Sequence, residues 1–217
     1  MKGPIAVIVT CAFLGLANAQ SAPLEDARYR PGKFKVAWIE SPNFNNRPGD
    51  TLVDTIVLHH TAGPTTASCV RWFENTESQV SAHYVVGKDG SIISMVNPFY
   101  RAWHGGASKD PRGKENLNNF SVGIEIVNVG NGKDPYTPDQ VMAVRLLCGY
   151  LCRYKYRNQI VQILSHEYIA VPPGRKNDPI NYPWESLYDV ADELGVKLVY
   201  GRADKTPTNR VPVKSQN

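Results

Sequence analysis

The chain has 217 residues, of which 42% are hydrophobic and 20% charged. That balance excludes a mostly disordered or collagen-like protein, and the length suits one domain with appendages. Lys and Arg number 24 against 20 Asp and Glu, a net charge of +4; the positive residues are scattered, so the charge reads as a solvated surface and not as a nucleic-acid footprint.

In chain order, Lys2 precedes the apolar run IAVIVTCAFLGL (5–16), and Ala17-Asn18-Ala19 forms a small-residue cleavage site. Residues 1–19 thus have the layout of a secretory signal peptide. The run is shorter than the about 20 residues a membrane-spanning helix needs, and no later stretch is long and apolar enough, so the expected mature protein is exported, periplasmic or secreted, with no transmembrane segment. Residues 20–50, rich in Pro, Asn, Arg and Gly, read as an irregular lead-in with a short edge strand at 34–39. Residues 51–200 form the folded domain, and 201–217 read as a polar tail without structure of its own.

Within the domain, 55–59 (TIVLH) reads as a central strand, β-branched and apolar. Gly63-Pro64 breaks it, and a helix over 67–75 places Cys69, Val70 and Phe73 on one side. Segments 83–86 and 91–96 flank Lys88-Asp89-Gly90 and predict a hairpin. Residues 105–119 form a long polar loop of the kind that carries function, and 121–127 (SVGIEIV) is a further strand. Thr137 caps a helix with Pro138 at its first position and Gln140 completing a capping box. Val141, Val144, Cys148, Leu151 and Cys152 then mark its core face. A strand at 160–164 leads into His166. A last helix spans 183–194, with Leu187, Val190 and Leu194 inward and Gly195 as its stop. Strands interleaved with helices predict an α/β single domain with a mixed central β-sheet flanked by helices.

Beyond Cys11, three cysteines remain. Cys148 and Cys152, four apart on a helix, hold their Cβ atoms roughly 6 Å apart, beyond the about 3.8 Å of a disulfide. They read as buried apolar residues. Cys69 meets one of them only if its helix packs on theirs. No pair has CxxC spacing, so the cysteines do not read as a zinc site.

Of the five histidines, His59 and His60 end a buried strand and point to opposite faces. Only one can enter a given site, and spacing does not decide which; a hydrogen-bonded core histidine is the plainer reading of either. Glu125 lies between two isoleucines. A buried, unpaired carboxylate costs several kcal/mol or shifts its pKa, so it is either half of a structural ion pair or a working group. Gly123, on the same face, leaves room beside it for a substrate. His166 opens SHEYIAVPPGRKNDP, where Lys176 and Asp178 point the same way if the segment is extended.

The stretches IVLHHTAG (56–63), SAHYVVGKDGSI (81–92), RAWHGG (101–106), NFSVGIEIVN (119–128) and SHEYIAVPPGRKNDP (165–179) together resemble, in order, the N-acetylmuramoyl-L-alanine amidases of the type-2 amidase family, related to peptidoglycan recognition proteins and the phage T7 lysozyme. The resemblance implies a zinc hydrolase with His59, His166 and Asp178 as the Zn2+ ligands, Glu125 as general base and Lys176 stabilising the oxyanion. It places His83, Trp103 and His104 beside the substrate groove. Two imidazoles and a carboxylate leave a fourth zinc position open, as catalytic sites require. The implied partner is peptidoglycan or muropeptides, cut between the muramic acid lactyl group and L-alanine. A non-catalytic peptidoglycan-binding module and a zinc hydrolase of another amide are the rival readings. The chain departs from the family pattern at Val171-Pro172, which lengthens the connection between His166 and Asp178, and at Ile180, where Gly is common. Oligomeric state is not legible.

Overall fold

The computed structural model describes residues 36–212; the expected signal segment, the first part of the lead-in and the end of the tail lie outside them. The elements are β1 (Val36–Trp38), β2 (Phe44–Asn45), β3 (Thr55–His60), α1 (Thr66–Glu74), β4 (Tyr84–Val86), β5 (Ile92–Ser94), β6 (Arg101–Ala102), β7 (Ser121–Ile126), α2 (Pro138–Tyr150), β8 (Gln162–Ser165), α3 (His166–Ile169), α4 (Tyr188–Leu194), β9 (Lys197–Tyr200) and β10 (Thr208–Arg210). Eight strands form one mixed sheet in the order β1-β5-β4-β7-β3-β8-β9-β10, and β2 pairs with β6 in a separate ribbon. The core of the sheet, β4-β7-β3-β8-β9, is parallel, while β4–β5 and β9–β10 are antiparallel. The expected mixed α/β single domain is what forms.

β3 is buried along its whole length, as a parallel strand covered on both faces requires, and this is why its centre, Ile56-Val57-Leu58, is apolar. Alternation divides its side chains. Ile56 and Leu58 join Val122, Ile124 and Ile126 of β7 in the main core, under Val144, Leu147 and Cys148 of α2 and Ala191 of α4. Val57 faces the other way, into a small cluster with Leu164, Leu117 and Ile169. A second small cluster joins Cys69, Val70 and Phe73 of α1 to Val85 and Val127. Between these two clusters the second face of the sheet is polar.

The capping box of α2 forms as expected, a feature worth about 1 kcal/mol. Its buried stripe is wider than expected, taking in Gln140, Ala143, Leu146 and Leu147, while Val141 is only half-buried; Gln140 is fully buried and donates to the Val127 carbonyl at 2.8 Å. The cap thereby ties the helix to the end of β7. The last helix begins as a 3-10 turn, Trp184–Leu187, before α4, and Gly195 stops it at φ +69°. The segment after Gly201, expected to lack structure, carries β10, whose pairing with β9 supplies the backbone partners a two-proline polar sequence does not advertise. Cys69, Cys148 and Cys152 are buried and unbonded. Among the described residues no helix is long and apolar enough to cross a membrane.

Candidate active site

The polar residues gather at the carboxyl ends of β3, β7 and β8, where open α/β sheets place their ligands. β3 delivers His59, and its register partner on β7 is Glu125, on the same face. β8 ends at Ser165, which caps the single-turn α3 through the Tyr168 N–H and so sets the direction of His166. Asp178 returns from the loop beyond α3. Its carbonyl accepts the Glu167 N–H at 2.8 Å, and two residues later the Ile180 N–H donates to His60 Nδ1 at 3.2 Å. The Val171-Pro172 segment is held in place: Val171 N–H bonds to the Ala107 carbonyl, and Arg175 folds back onto the Val171 and Pro172 carbonyls.

Three ligand-type atoms converge. His59 Nδ1 lies 2.9 Å from His166 Nδ1 and 3.2 Å from Asp178 Oδ2, and His166 Nδ1 lies 3.0 Å from the same oxygen. All three residues are buried, and their donor atoms lie close enough to share one metal ion. The remaining ring nitrogens are occupied: His166 Nε2 donates to the Gly105 carbonyl at 3.2 Å, and His59 Nε2 is 3.0 Å from His104 Nδ1. Three such atoms at these distances repel unless a proton or a metal cation lies among them, and two imidazoles with one carboxylate are a donor set that zinc accepts.

Glu125 is half-buried, but its Oε2 is buried with no hydrogen-bond partner. No ion pair holds it among the described residues, so the reading as a structural pair fails. Burial first, and the nearby Asp178 charge second, push its carboxyl up to about 8, with Lys176 pulling the other way. His59 is lowered to about 4, chiefly by burial and then by His166. For Asp178, burial acts upward, yet His166 and His59 outweigh it and hold the carboxyl well below the ordinary range.

A groove of about 470 Å³ opens above these groups, lined by Trp72, Phe73, Trp103, Glu125, His166 and Lys176 among others. A larger and more open hollow of about 820 Å³ lies at the opposite strand ends, against Thr51, Asp54, Lys114, Phe120 and Val161. It holds no imidazole and none of the converging donors. The exposed Lys176 and the half-buried Trp103 reach the groove as expected, and Trp103 is fixed by its Nε1–H to Asn45 Oδ1 at 2.9 Å.

Two expectations change. His83 is fully buried and does not line the groove; its Nδ1 accepts the Gly123 N–H at 3.0 Å and its Nε2 meets the Tyr100 carbonyl at 3.2 Å. The room above Gly123 is not left for a substrate but filled by His104, since a Cβ at 123 would stand 2.5 Å from His104 Cγ. His104 touches the groove's lining yet spends its ring nitrogens inside the protein, on His59 and on Ser121 Oγ at 3.2 Å. Trp72 was missed, although its large aromatic ring off the buried stripe of α1 was a signal for a groove wall.

The family model for N-acetylmuramoyl-L-alanine amidase matches residues 48–181. The 1,6-anhydro-N-acetylmuramyl-L-alanine amidase AmpD of Haemophilus influenzae is 28% identical over 165 residues, covering 68% of this chain and 87% of that protein. The N-acetylmuramoyl-L-alanine amidase AmiD of Escherichia coli is 33% identical over 181 residues, covering 72% of this chain and 62% of that one. Among solved structures, an AmpD derivative superposes with a TM-score of 0.57 at 28% identity, covering 72% of this chain and 94% of that chain. The complex of Escherichia coli AmiD with anhydro-N-acetylmuramic acid-L-Ala-D-gamma-Glu-L-Lys does so with a TM-score of 0.56 at 28% identity, covering 68% and 60%. The matched span runs from ahead of β3 to past Asp178 and so takes in every strand end that frames the groove: this chain belongs to the N-acetylmuramoyl-L-alanine amidase family.

Proposed function

We propose that this amidase is zinc-dependent and hydrolyses the bond between the lactyl group of N-acetylmuramic acid and the L-alanine of the stem peptide, in peptidoglycan or muropeptides outside the cytoplasm. One observation carries the reading: His59 Nδ1, His166 Nδ1 and Asp178 Oδ2 crowd together beside the groove that His166 lines, one strand from the unpartnered oxygen of Glu125. Zinc held by these three residues supplies a Lewis acid that polarises a carbonyl and lowers the pKa of water to about 7.

The chain's own groups do the rest. Glu125 takes the proton of the attacking water and passes it to the leaving nitrogen of L-alanine, a task for which a base with a raised pKa is suited. Lys176, exposed at the groove, presents its ammonium to the oxygen on which negative charge develops. Trp103, already held by Asn45, orients the muropeptide against the groove wall. The printed ligand of the Escherichia coli relative supports a muropeptide as substrate, and the N-terminal layout of Lys2, apolar run and Ala17-Asn18-Ala19 supports export. An intact donor set beside Glu125 favours hydrolysis over binding alone.

Mass spectrometry of products from purified sacculi tests the proposal. Stem peptides with a free N-terminal L-alanine are expected, lost on chelation and restored by zinc. Scission at another bond, or full activity in the presence of a strong chelator, overturns it.

A further inference from the structure

We infer that Arg101, with Asn45, is a specificity-determining subsite beside Trp103 that takes the free carboxylate on the second residue of the stem peptide, given the muropeptide reading above, on which the assignment rests.

β2 and β6 set the two side chains opposite each other, since Asn45 and Arg101 are register partners in the ribbon. Asn45 Oδ1 accepts from Arg101 Nη1 at 3.1 Å and from Trp103 Nε1 at 2.9 Å. Guanidinium and indole N–H groups only donate, so the amide oxygen of Asn45 is fixed on their side. Arg101 Nε donates to Asn119 Oδ1 at 2.7 Å. Two amide oxygens thus hold the guanidinium beside the indole of Trp103, which lines the groove. Arg101 Nη2 and Asn45 Nδ2 are left without partners among the described residues, on a half-buried and an exposed side chain.

The charge is unbalanced as well. No carboxylate pairs with Arg101 among the described residues, and burial is what lowers its pKa. The guanidinium of Arg47 donates to the carbonyls of Asn118, Asn119 and Ser121 at 2.9, 2.8 and 2.9 Å. Burial first, and the Arg101 charge as a lesser cause, pull Arg47 down to about 10. Two cations that meet on Asn119 without an acid favour an anion. A guanidinium already pinned at Nε and Nη1 offers Nη2 to it with little further loss of freedom.

The substrate decides which anion. The lactyl carboxyl of muramic acid is consumed in the amide that is cut, so the sugar side brings none. The ligand of the Escherichia coli relative continues as L-Ala-D-gamma-Glu, and a γ-linked glutamate keeps its α-carboxylate free. Two extended residues span about 7 Å, and the three-residue step from Arg101 to His104, whose ring meets His59, spans at most about 11 Å. The carboxylate and the cation therefore lie on the same length scale from the cut bond.

The test compares two soluble N-acetylmuramoyl dipeptides, each with L-alanine first and with either D-glutamate, linked through its γ-carboxyl, or its α-amide, D-isoglutamine, second. The wild type with zinc should favour the acid over the amide by about 5–20-fold in kcat/KM, mostly through KM. Arg101→Gln should bring that ratio to within about twofold of unity. Loss of ribbon support alone would slow both substrates alike and leave the ratio where it was. Asn45→Asp keeps an oxygen acceptor for Arg101 and Trp103 but gives the guanidinium an internal carboxylate. It should erase the preference too, and it decides the matter if Arg101→Gln does not fold. No preference in the wild type, or the wild-type ratio kept in either variant that folds, overturns the inference and leaves the amidase reading standing. If the wild type cuts neither dipeptide, titration calorimetry of both against wild type and Asn45→Asp judges the subsite by the same ratio, and the sacculus assay above judges the bond assignment separately.

Discussion

The two faces of the central sheet are made by the same strands and do opposite work. On one face, Ile56 and Leu58 of β3, Val122, Ile124 and Ile126 of β7 and Ile163 of β8 pack without a polar break under α2 and α4. On the other, the apolar residues separate into two small clusters, and between them stand His59, His83, His104, Glu125 and His166, buried or half-buried. Each fully buried Ile or Leu contributes roughly 1.5–3 kcal/mol through area removed from water. An unpartnered carboxylate oxygen and three crowded electron-rich atoms do the reverse. Strand alternation lets one backbone hold both: the first face supplies the stability that the second face spends on chemistry.

Adjacent residues of β7 expose that division most directly. Glu125→Gln should lower turnover by about 10²–10⁴-fold, the usual worth of a general base, while metal analysis finds the same zinc content; full turnover in this variant would dismiss Glu125 as the base. Ile124→Ala, one residue earlier and facing the other way, should cost about 2–5 kcal/mol in urea unfolding, with turnover per folded molecule little changed. The two faces are not independent if Ile124→Ala abolishes turnover in fully folded protein. A smaller effect follows from the raised Glu125 pKa. The folded protein keeps this proton up to about pH 8, whereas the unfolded chain releases it at the ordinary carboxylate pKa. Folded stability therefore falls as pH rises between those values. In metal-free protein, Glu125→Gln should raise Tm at alkaline pH and much less at mildly acidic pH; an equal gain at both would assign the effect to packing.

The apolar face was the more legible of the two. The β-branched run of 55–59, the 121–127 strand and the Thr137-Pro138-Gln140 cap each announce themselves locally, because period and capping chemistry act over a few residues. β9 and β10 did not, being short strands whose stability comes from pairing with each other and with β8. On the polar face, His59, His166, Asp178 and Glu125 were found through the ordered motifs and do meet, but the choice between His59 and His60 was beyond alternation. Both are buried, and both rings have partners: His60 accepts the Ile180 N–H while His59 faces Asp178. The resemblance places both His83 and His104 beside the groove, and of the two only His104 reaches its lining. Their true setting depends on Gly123, Ser121 and Arg47, the last lying 3.2 Å from His83 Nε2, and no local pattern connects these positions.

The smallest predicted effect concerns the boundary between scaffold and substrate surface. Trp72 is 56% exposed on α1 although its neighbours Cys69, Val70 and Phe73 are buried, and it lines the same groove as Trp103. An indole so exposed adds little to folding, so Trp72→Ala should change unfolding free energy by less than about 0.5 kcal/mol. If its face receives the sugar or the stem peptide, the lost contact is worth about 0.5–1.5 kcal/mol, which raises KM about two- to tenfold with kcat nearly constant, the mark of binding shared by ground and transition states. Trp103→Ala offers the contrast, because it also releases Asn45, which Arg101 shares through its Nη1 at 3.1 Å; stability and KM should then move together. An unchanged KM in Trp72→Ala would place the edge of the substrate surface at Trp103 and return α1 wholly to the scaffold.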